Sequence, residues 1–124
     1  MLTQDPELPK KRTRLIVQRG IENFAIRVEE IAFVYTEKKI FYVIDHCGMK
    51  YICDKNLSEL ENELDQSLFF RANRQYLINI NFVRAFKPLQ KVKLQVELKL
   101  PASSHAIIVS QETAPLFKRW IYEE

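Results

Sequence analysis

From Lys91 to Leu100 the chain alternates without a break: Val92, Leu94, Val96, Leu98 and Leu100 have one parity, and Lys91, Lys93, Gln95, Glu97 and Lys99 the other. Side chains of an extended strand point to opposite faces in turn, so the pattern predicts a strand with one dry and one wet face. Such strands belong to antiparallel sheets packed on one side. Leu15 to Val17 and Phe24 to Val28 flank Gly20, which suits a short turn. Ile31 to Tyr35 and Ile40 to Ile44 are rich in β-branched and aromatic residues, with the polar loop Thr36-Glu37-Lys38-Lys39 between them. Met49 to Cys53, Tyr76 to Ile78, Phe82 to Phe86 and Ala106 to Val109 read as further strands, with turns at Cys47-Gly48 and Pro88-Leu89.

Two helices interrupt the strands. Asn56 is placed to cap the first, with Glu59 three residues on as in a capping box and Leu57, Leu60 and Leu64 on one face. The other face carries Glu61, Glu63 and Asp65, so this helix, near 57–65, should lie away from any polyanion. The second spans about 111–122. Ser110 would cap it, Pro115 lies near its first turn, and Leu116, Phe117, Trp120 and Ile121 would form its buried stripe. The sum is a mainly β, antiparallel domain with two short helices, lacking the strand–helix alternation of a parallel sheet.

At 124 residues the chain supports one compact domain, and its 47% hydrophobic and 28% charged residues are an ordinary globular balance. Two glycines leave no room for a phosphate-cradling glycine loop. No apolar run approaches the roughly 18 residues of a membrane span, and Met1 to Lys10 lacks a signal-peptide apolar region, so a cytoplasmic location is expected. Cys47 at a turn tip and Cys53 down the return strand are placed too far apart to bridge, so both are expected as thiols. With His46 and His105 they offer no paired metal-ligand spacing. No orienting acid stands at telling spacing from a Cys–His pair either. Neither a cofactor, a metal nor an enzymatic activity is expected.

The chemistry concentrates in Phe69-Phe70-Arg71-Ala72-Asn73-Arg74-Gln75-Tyr76-Leu77-Ile78-Asn79-Ile80-Asn81. Arg71, Asn73, Arg74 and Gln75 sit on a short connection anchored at both ends by apolar residues. Arg matches guanine and phosphate, and Asn and Gln match the major-groove edge of adenine. Charge is segregated around this stretch. Arg71 to Lys99 holds seven basic residues against Glu97 alone, whereas Asp54 to Asp65 holds five acids against Lys55. A net charge of +3 would not by itself suggest a polyanion ligand, but segregation gives one face a positive potential that steers phosphate. The second class open to such a chain is an RNA-binding or protein-interaction β-module, with Tyr35, Phe41, Tyr42, Tyr51, Phe69, Phe70 and Tyr76 as candidate stacking platforms.

The stretch resembles the signature of the LytTR-type DNA-binding domain, the output module of many bacterial response regulators. That signature reads roughly Phe-x-Arg-x-His-Arg-Ser-x-x-Val-Asn, and Phe69, Arg71, Arg74 and Asn79 match it in spacing. Asn73 stands for the usual His and Gln75 for the usual Ser, and both still donate and accept. The resemblance extends from Leu15 to Ile121 and implies an elongated antiparallel β-fold whose connections enter adjacent major grooves of duplex DNA. It implies three contact regions: Lys38 and Lys39; Arg71, Asn73, Arg74 and Gln75; and Gln111, where the family commonly has Arg. Arg71 is also open to two other roles, holding a phosphate or making an internal ion pair with the acidic helix. Asn79 and Asn81 read as structural, because asparagine beside a turn usually bonds the local backbone. On the same resemblance residues 1–13, with Pro6, Pro9 and Lys10-Lys11-Arg12, are a linker from an N-terminal receiver domain, and 14–124 are the DNA-binding domain. The expected role is sequence-specific binding of repeated promoter elements, as the output of a two-component phosphorelay controlling transcription.

Overall fold

The computed structural model describes residues 11–100 and 105–123. Seven strands form one antiparallel sheet: β1 (Arg14–Arg19), β2 (Glu22–Arg27), β3 (Ile31–Glu37), β4 (Ile40–Asp45), β5 (Lys50–Cys53), β6 (Phe69–Arg71) and β7 (Tyr76–Asn79), in the order β2-β1-β5-β4-β3-β7-β6. Three more, β8 (Val83–Leu89), β9 (Lys93–Leu98) and β10 (Ile107–Val109), form a second antiparallel sheet in the order β10-β9-β8. Helix α1 (Leu57–Glu63) lies between β5 and β6 in the chain, and α2 (Ala114–Tyr122) follows β10. The mainly β, antiparallel expectation with two short helices is what the chain adopts.

The unbroken apolar run in β3 has a direct cause. Val34 belongs to a core beneath α1, with Leu57, Leu60, Leu64, Val43 and Leu77. Phe33 and Tyr35 belong to a second core shared with the three-stranded sheet and α2, with Ile78, Val96, Ile107 and Phe117. β3 is therefore covered on both faces. β9 is covered on one: Leu94, Val96 and Leu98 are buried while Glu97 is exposed, as alternation predicts.

The α1 cap forms as expected. Glu59 N donates to Asn56 Oδ1 at 2.8 Å and Asn56 N donates to Glu59 Oε1 at 2.9 Å. The start of α2 departs from expectation. Ser110 is not its cap: the helix begins at Ala114, and the Ser110 carbonyl accepts from Thr113 N and Ala114 N in a preceding turn. Pro115 sits in the first turn of α2 and contributes no N–H, which is tolerated only there. The buried stripe runs through Ala114, Phe117, Trp120 and Ile121 and leaves out Leu116. Phe117 is fully buried, with Trp120 and Ile121 packed beside it, while Leu116 is 53% exposed.

A second correction concerns Pro88 and Leu89, expected as a turn. β8 continues through both, with Pro88 opposite Leu94, because β8 is an edge strand whose missing N–H costs no ladder bond. The chain reverses instead at Gln90 and Lys91, whose φ angles are 55° and 80°. Val92 then precedes the strand and is 46% exposed rather than buried.

Residues 1–10 of the expected linker lie outside the described residues. Lys11 to Thr13 run against the end of α1: Arg12 N donates to the Glu63 carbonyl at 3.0 Å, and its guanidinium meets Glu63 Oε1 at 2.8 Å. Both cysteines are free thiols, Cys47 exposed at the β4–β5 turn and Cys53 buried on β5. Burial pushes the Cys53 thiol up from its ordinary pKa, which lowers its thiolate fraction. Alkylation of native, unreduced protein should therefore label Cys47 quickly and Cys53 only on unfolding. Mass spectrometry showing an intramolecular disulfide, or equal labelling rates, would overturn this.

Candidate nucleic-acid interface

β6 ends at Arg71 and β7 begins at Tyr76, so Ala72 to Gln75 form a four-residue connection closed by Ala72 N donating to the Tyr76 carbonyl at 2.9 Å. Arg71 folds back over it. Its Nε donates to the Asn73 carbonyl at 2.8 Å, one terminal nitrogen to the Arg74 carbonyl at 2.9 Å, and the other meets Glu61 Oε1 at 3.2 Å. Asn73 is engaged at both ends: Nδ2 donates to the Ile108 carbonyl on β10 at 2.6 Å, and Oδ1 accepts from Gln75 N at 2.7 Å. Charge-assisted forks of this kind fix a backbone path. Two of the four donor-rich side chains thus hold the loop, and the other two, Arg74 and Gln75, are exposed and make no side-chain hydrogen bond among the described residues.

The remaining candidates converge on this loop. Thr36 N, near the end of β3, donates to the Gln75 carbonyl at 3.1 Å, which brings the Lys38-Lys39 turn to the same end of the sheet. Both lysines are exposed and left-handed, with φ angles of 53° and 68°. On the other side, the Asn73–Ile108 bond lies two residues before Ser110, so exposed Gln111 in the turn ahead of α2 is anchored beside the loop. An open depression of about 980 Å³ joins the signature loop to the turn ahead of α2, with Arg74, Gln75, Ser110 and Glu112 along its walls; Lys38, Lys39 and Gln111 are not among its lining residues. The three regions expected from the sequence thus lie near one another in the fold, linked by the Thr36–Gln75 and Asn73–Ile108 bonds.

Glu61 was missed. The acidic face of α1 was expected to lie away from the interface, yet Glu61 lines this depression and pairs with Arg71. The spacing of two residues ten apart does not pick Glu61 out from the other acids of that helix. Glu63 does face elsewhere, paired with Arg12 and Lys55. Of the seven basic residues from Arg71 to Lys99, only Arg71 and Arg84 have an acidic partner among the described residues, in Glu61 and Glu97. Arg74, Lys87, Lys91, Lys93 and Lys99 keep uncompensated charge.

The aromatic side chains are not laid out as stacking platforms. Tyr35, Tyr51 and Phe69 are buried, and Phe41, Tyr42, Phe70 and Tyr76 pack against the two cores. His105 is held by Tyr76, whose hydroxyl lies 2.7 Å from Nδ1, and burial lowers its pKa. Cys47 Sγ lies 3.5 Å from His46 Nδ1, but the nearby Asp45 carboxylate is spent on Cys47 N, Met49 N and the Tyr51 hydroxyl. Among the described residues no group of His, Cys, Asp and Glu gathers as metal ligands, and no helix is long and apolar enough to cross a membrane.

Residues 22–122 match the family model of the LytTr DNA-binding domain. This chain belongs to that family. It is a family of DNA-binding domains rather than of enzymes, and the match takes in every strand but β1, both helices and every candidate DNA-contact residue named above. No curated protein matches the chain. Among solved structures it is similar to the LytTr DNA-binding domain of a protein named as a methyl-accepting/DNA response regulator from Bacillus cereus. The TM-score is 0.80 at 17% identity, covering 90% of this chain and 99% of that one, and the likeness is one of fold.

Proposed function

We propose that this LytTr domain reads a specific duplex DNA sequence through loops, as the cytoplasmic output module of a two-component response regulator that controls transcription. Repeated promoter elements are its targets, and an N-terminal receiver domain in the full-length protein governs it by phosphorelay. The observation that carries the reading is the division of labour in the signature loop. Arg71 and Asn73 spend their donors on the protein, and Arg74 and Gln75 are left exposed between the Lys38-Lys39 turn and Gln111. Their backbone is held, by Arg71 at the Arg74 carbonyl and by Asn73 at Gln75 N, so the stems are fixed while the side-chain heads stay free for base edges, which favours base reading by Arg74 and Gln75. Lys38 and Lys39 act as point charges toward phosphate, and Gln111 supplies a neutral hydrogen-bonding head.

The alternative is an RNA-binding or protein-interaction module; reading unpaired RNA bases calls for exposed aromatic platforms, and the packing of Tyr35, Tyr51 and Phe69 into the cores speaks against that. One titration separates the two. The domain is expected to bind duplex DNA with an affinity that falls steeply with salt, because each phosphate contact releases condensed counterions. Flat duplex affinity between low and moderate salt, or tighter retention of single-stranded RNA, would sink the DNA reading.

A further inference from the structure

The β8–β9 turn lies outside the three contact regions, yet its position, charge and backbone all resemble those of the Lys38-Lys39 turn. Resting on the DNA-binding reading above, we propose that Lys91 at this turn, with Lys93 beside it, is a fourth contact element that grips the phosphodiester backbone next to the segment read by Gln111.

Register supplies the position. Val109 pairs with Leu94 and Leu89 with Lys93, so Ser110 comes level with Lys93 and the Gln90-Lys91 turn projects beyond it at the same end of the sheet. β8 and β10 flank β9, so they lie about 10 Å apart at the usual strand spacing. The turn and the Gln111 segment can therefore meet one stretch of duplex together.

Charge supplies the ligand class. Lys87 stands opposite Gln95, and Lys93 opposite Leu89, with no acid in either row. Glu97, the one acid on β9, is occupied by Arg84 toward the other end of the strand. Lys87, Lys91 and Lys93 thus form a cationic end without an ion-pair partner among the described residues. Lysine is a point charge without arginine's fork, which suits phosphate rather than base edges.

The backbone marks the turn as more than a connection. Two residues, Lys38 and Lys39, separate the paired Glu37 and Ile40, and three, Gln90 to Val92, separate the paired Leu89 and Lys93; each turn holds two consecutive residues of positive φ, a region that L side chains adopt at a cost. The chain's two glycines are spent at Gly20 and Gly48, both with positive φ, in the β1–β2 and β4–β5 turns. Those two turns share the end of the large sheet opposite Lys38-Lys39. At the Lys38-Lys39 and Gln90-Lys91 turns the chain keeps long donor side chains in the left-handed region instead. Strained positions of this sort point to a use for the side chain.

The test uses Lys91→Gly, which suits a φ of 80° and should fold at least as well as the parent, the double variant Lys91→Gly/Lys93→Gln, and Lys99→Gln, which removes one charge beyond the far end of β9. Each is melted, then titrated over a salt series against a random-sequence duplex and against a duplex selected from a random library. Lys91→Gly should weaken both duplexes by the same factor and lower the salt slope by about 0.9, and the double variant should lower it by about twice that. Lys99→Gln should leave the slope unchanged. Wild-type slopes for both turn variants, or an equal drop for Lys99→Gln, would overturn the fourth contact while leaving DNA binding intact. A parent domain without affinity for either duplex would overturn both readings.

Discussion

Asn79→Ala is expected to destabilise the domain by about 2–4 kcal/mol, a large share of the roughly 5–15 kcal/mol that holds a domain of this size together. Asn79 is fully buried at the end of β7, and its amide is a two-sided strap. Nδ2 donates to the Ile31 carbonyl at 2.7 Å, and Oδ1 accepts from Asn81 N at 2.8 Å. Ile31 is itself buried, so its carbonyl would lose its side-chain donor where water cannot replace it, at about 1–3 kcal/mol. Asn81 is exposed and can turn its N–H to water, so losing that bond costs about 1 kcal/mol. Urea midpoints at unchanged m-value measure the sum. At temperatures where the variant stays folded, its salt slope on duplex DNA should match the parent's. A loss of stability below about 1 kcal/mol would show that the strap is dispensable.

That strap shows which signature residues a sequence can interpret. Asn79 reads as structural because asparagine beside a turn has few other roles, and the fold places it so. The capping box and the one-sided burial of β9 were legible for the same reason: each depends on neighbours close in sequence or on a short period. The errors fall where the chain reverses. Pro88 looks like a turn, but its edge position makes it an acceptable strand residue, and edge position is set by the pairing of β9 between two partners. Gln90-Lys91 looks like a strand entry, because neither residue advertises a positive φ. The late start of α2 follows from the Ser110 turn, in which the serine carbonyl takes the bonds expected of its hydroxyl.

The signature loop was legible as a site but not in its internal roles. Arg71, Asn73, Arg74 and Gln75 are equally polar on paper. Three long-range partners separate them: Glu61 on α1, Ile108 on β10, and the backbone at Thr36. Those partners lie ten to thirty-nine residues away, beyond the reach of any local pattern.

Arg74→Ala is therefore expected to change specificity, costing about 1–3 kcal/mol at the selected site, or roughly 5- to 150-fold, with a much smaller loss on scrambled duplex. Arg74 is exposed, its backbone carbonyl is held by Arg71, and its guanidinium has no ion-pair partner among the described residues, so a planar fork is presented outward from a fixed stem. Two acceptors on one guanine match that fork. Removing it should leave the melting temperature near the parent's, because nothing in the fold leans on the side chain. Arg71→Ala should behave differently. It frees Glu61 and two loop carbonyls, lowers the melting temperature, and weakens binding through a loosened loop. Lys39→Ala should weaken selected and scrambled duplexes alike and lower the salt slope by about one, as the loss of one phosphate contact does. The three variants thus separate base reading, loop support and phosphate contact by melts and paired titrations. Equal losses on both duplexes for Arg74→Ala would reduce Arg74 to a phosphate clamp and move base reading to Gln75 or Gln111.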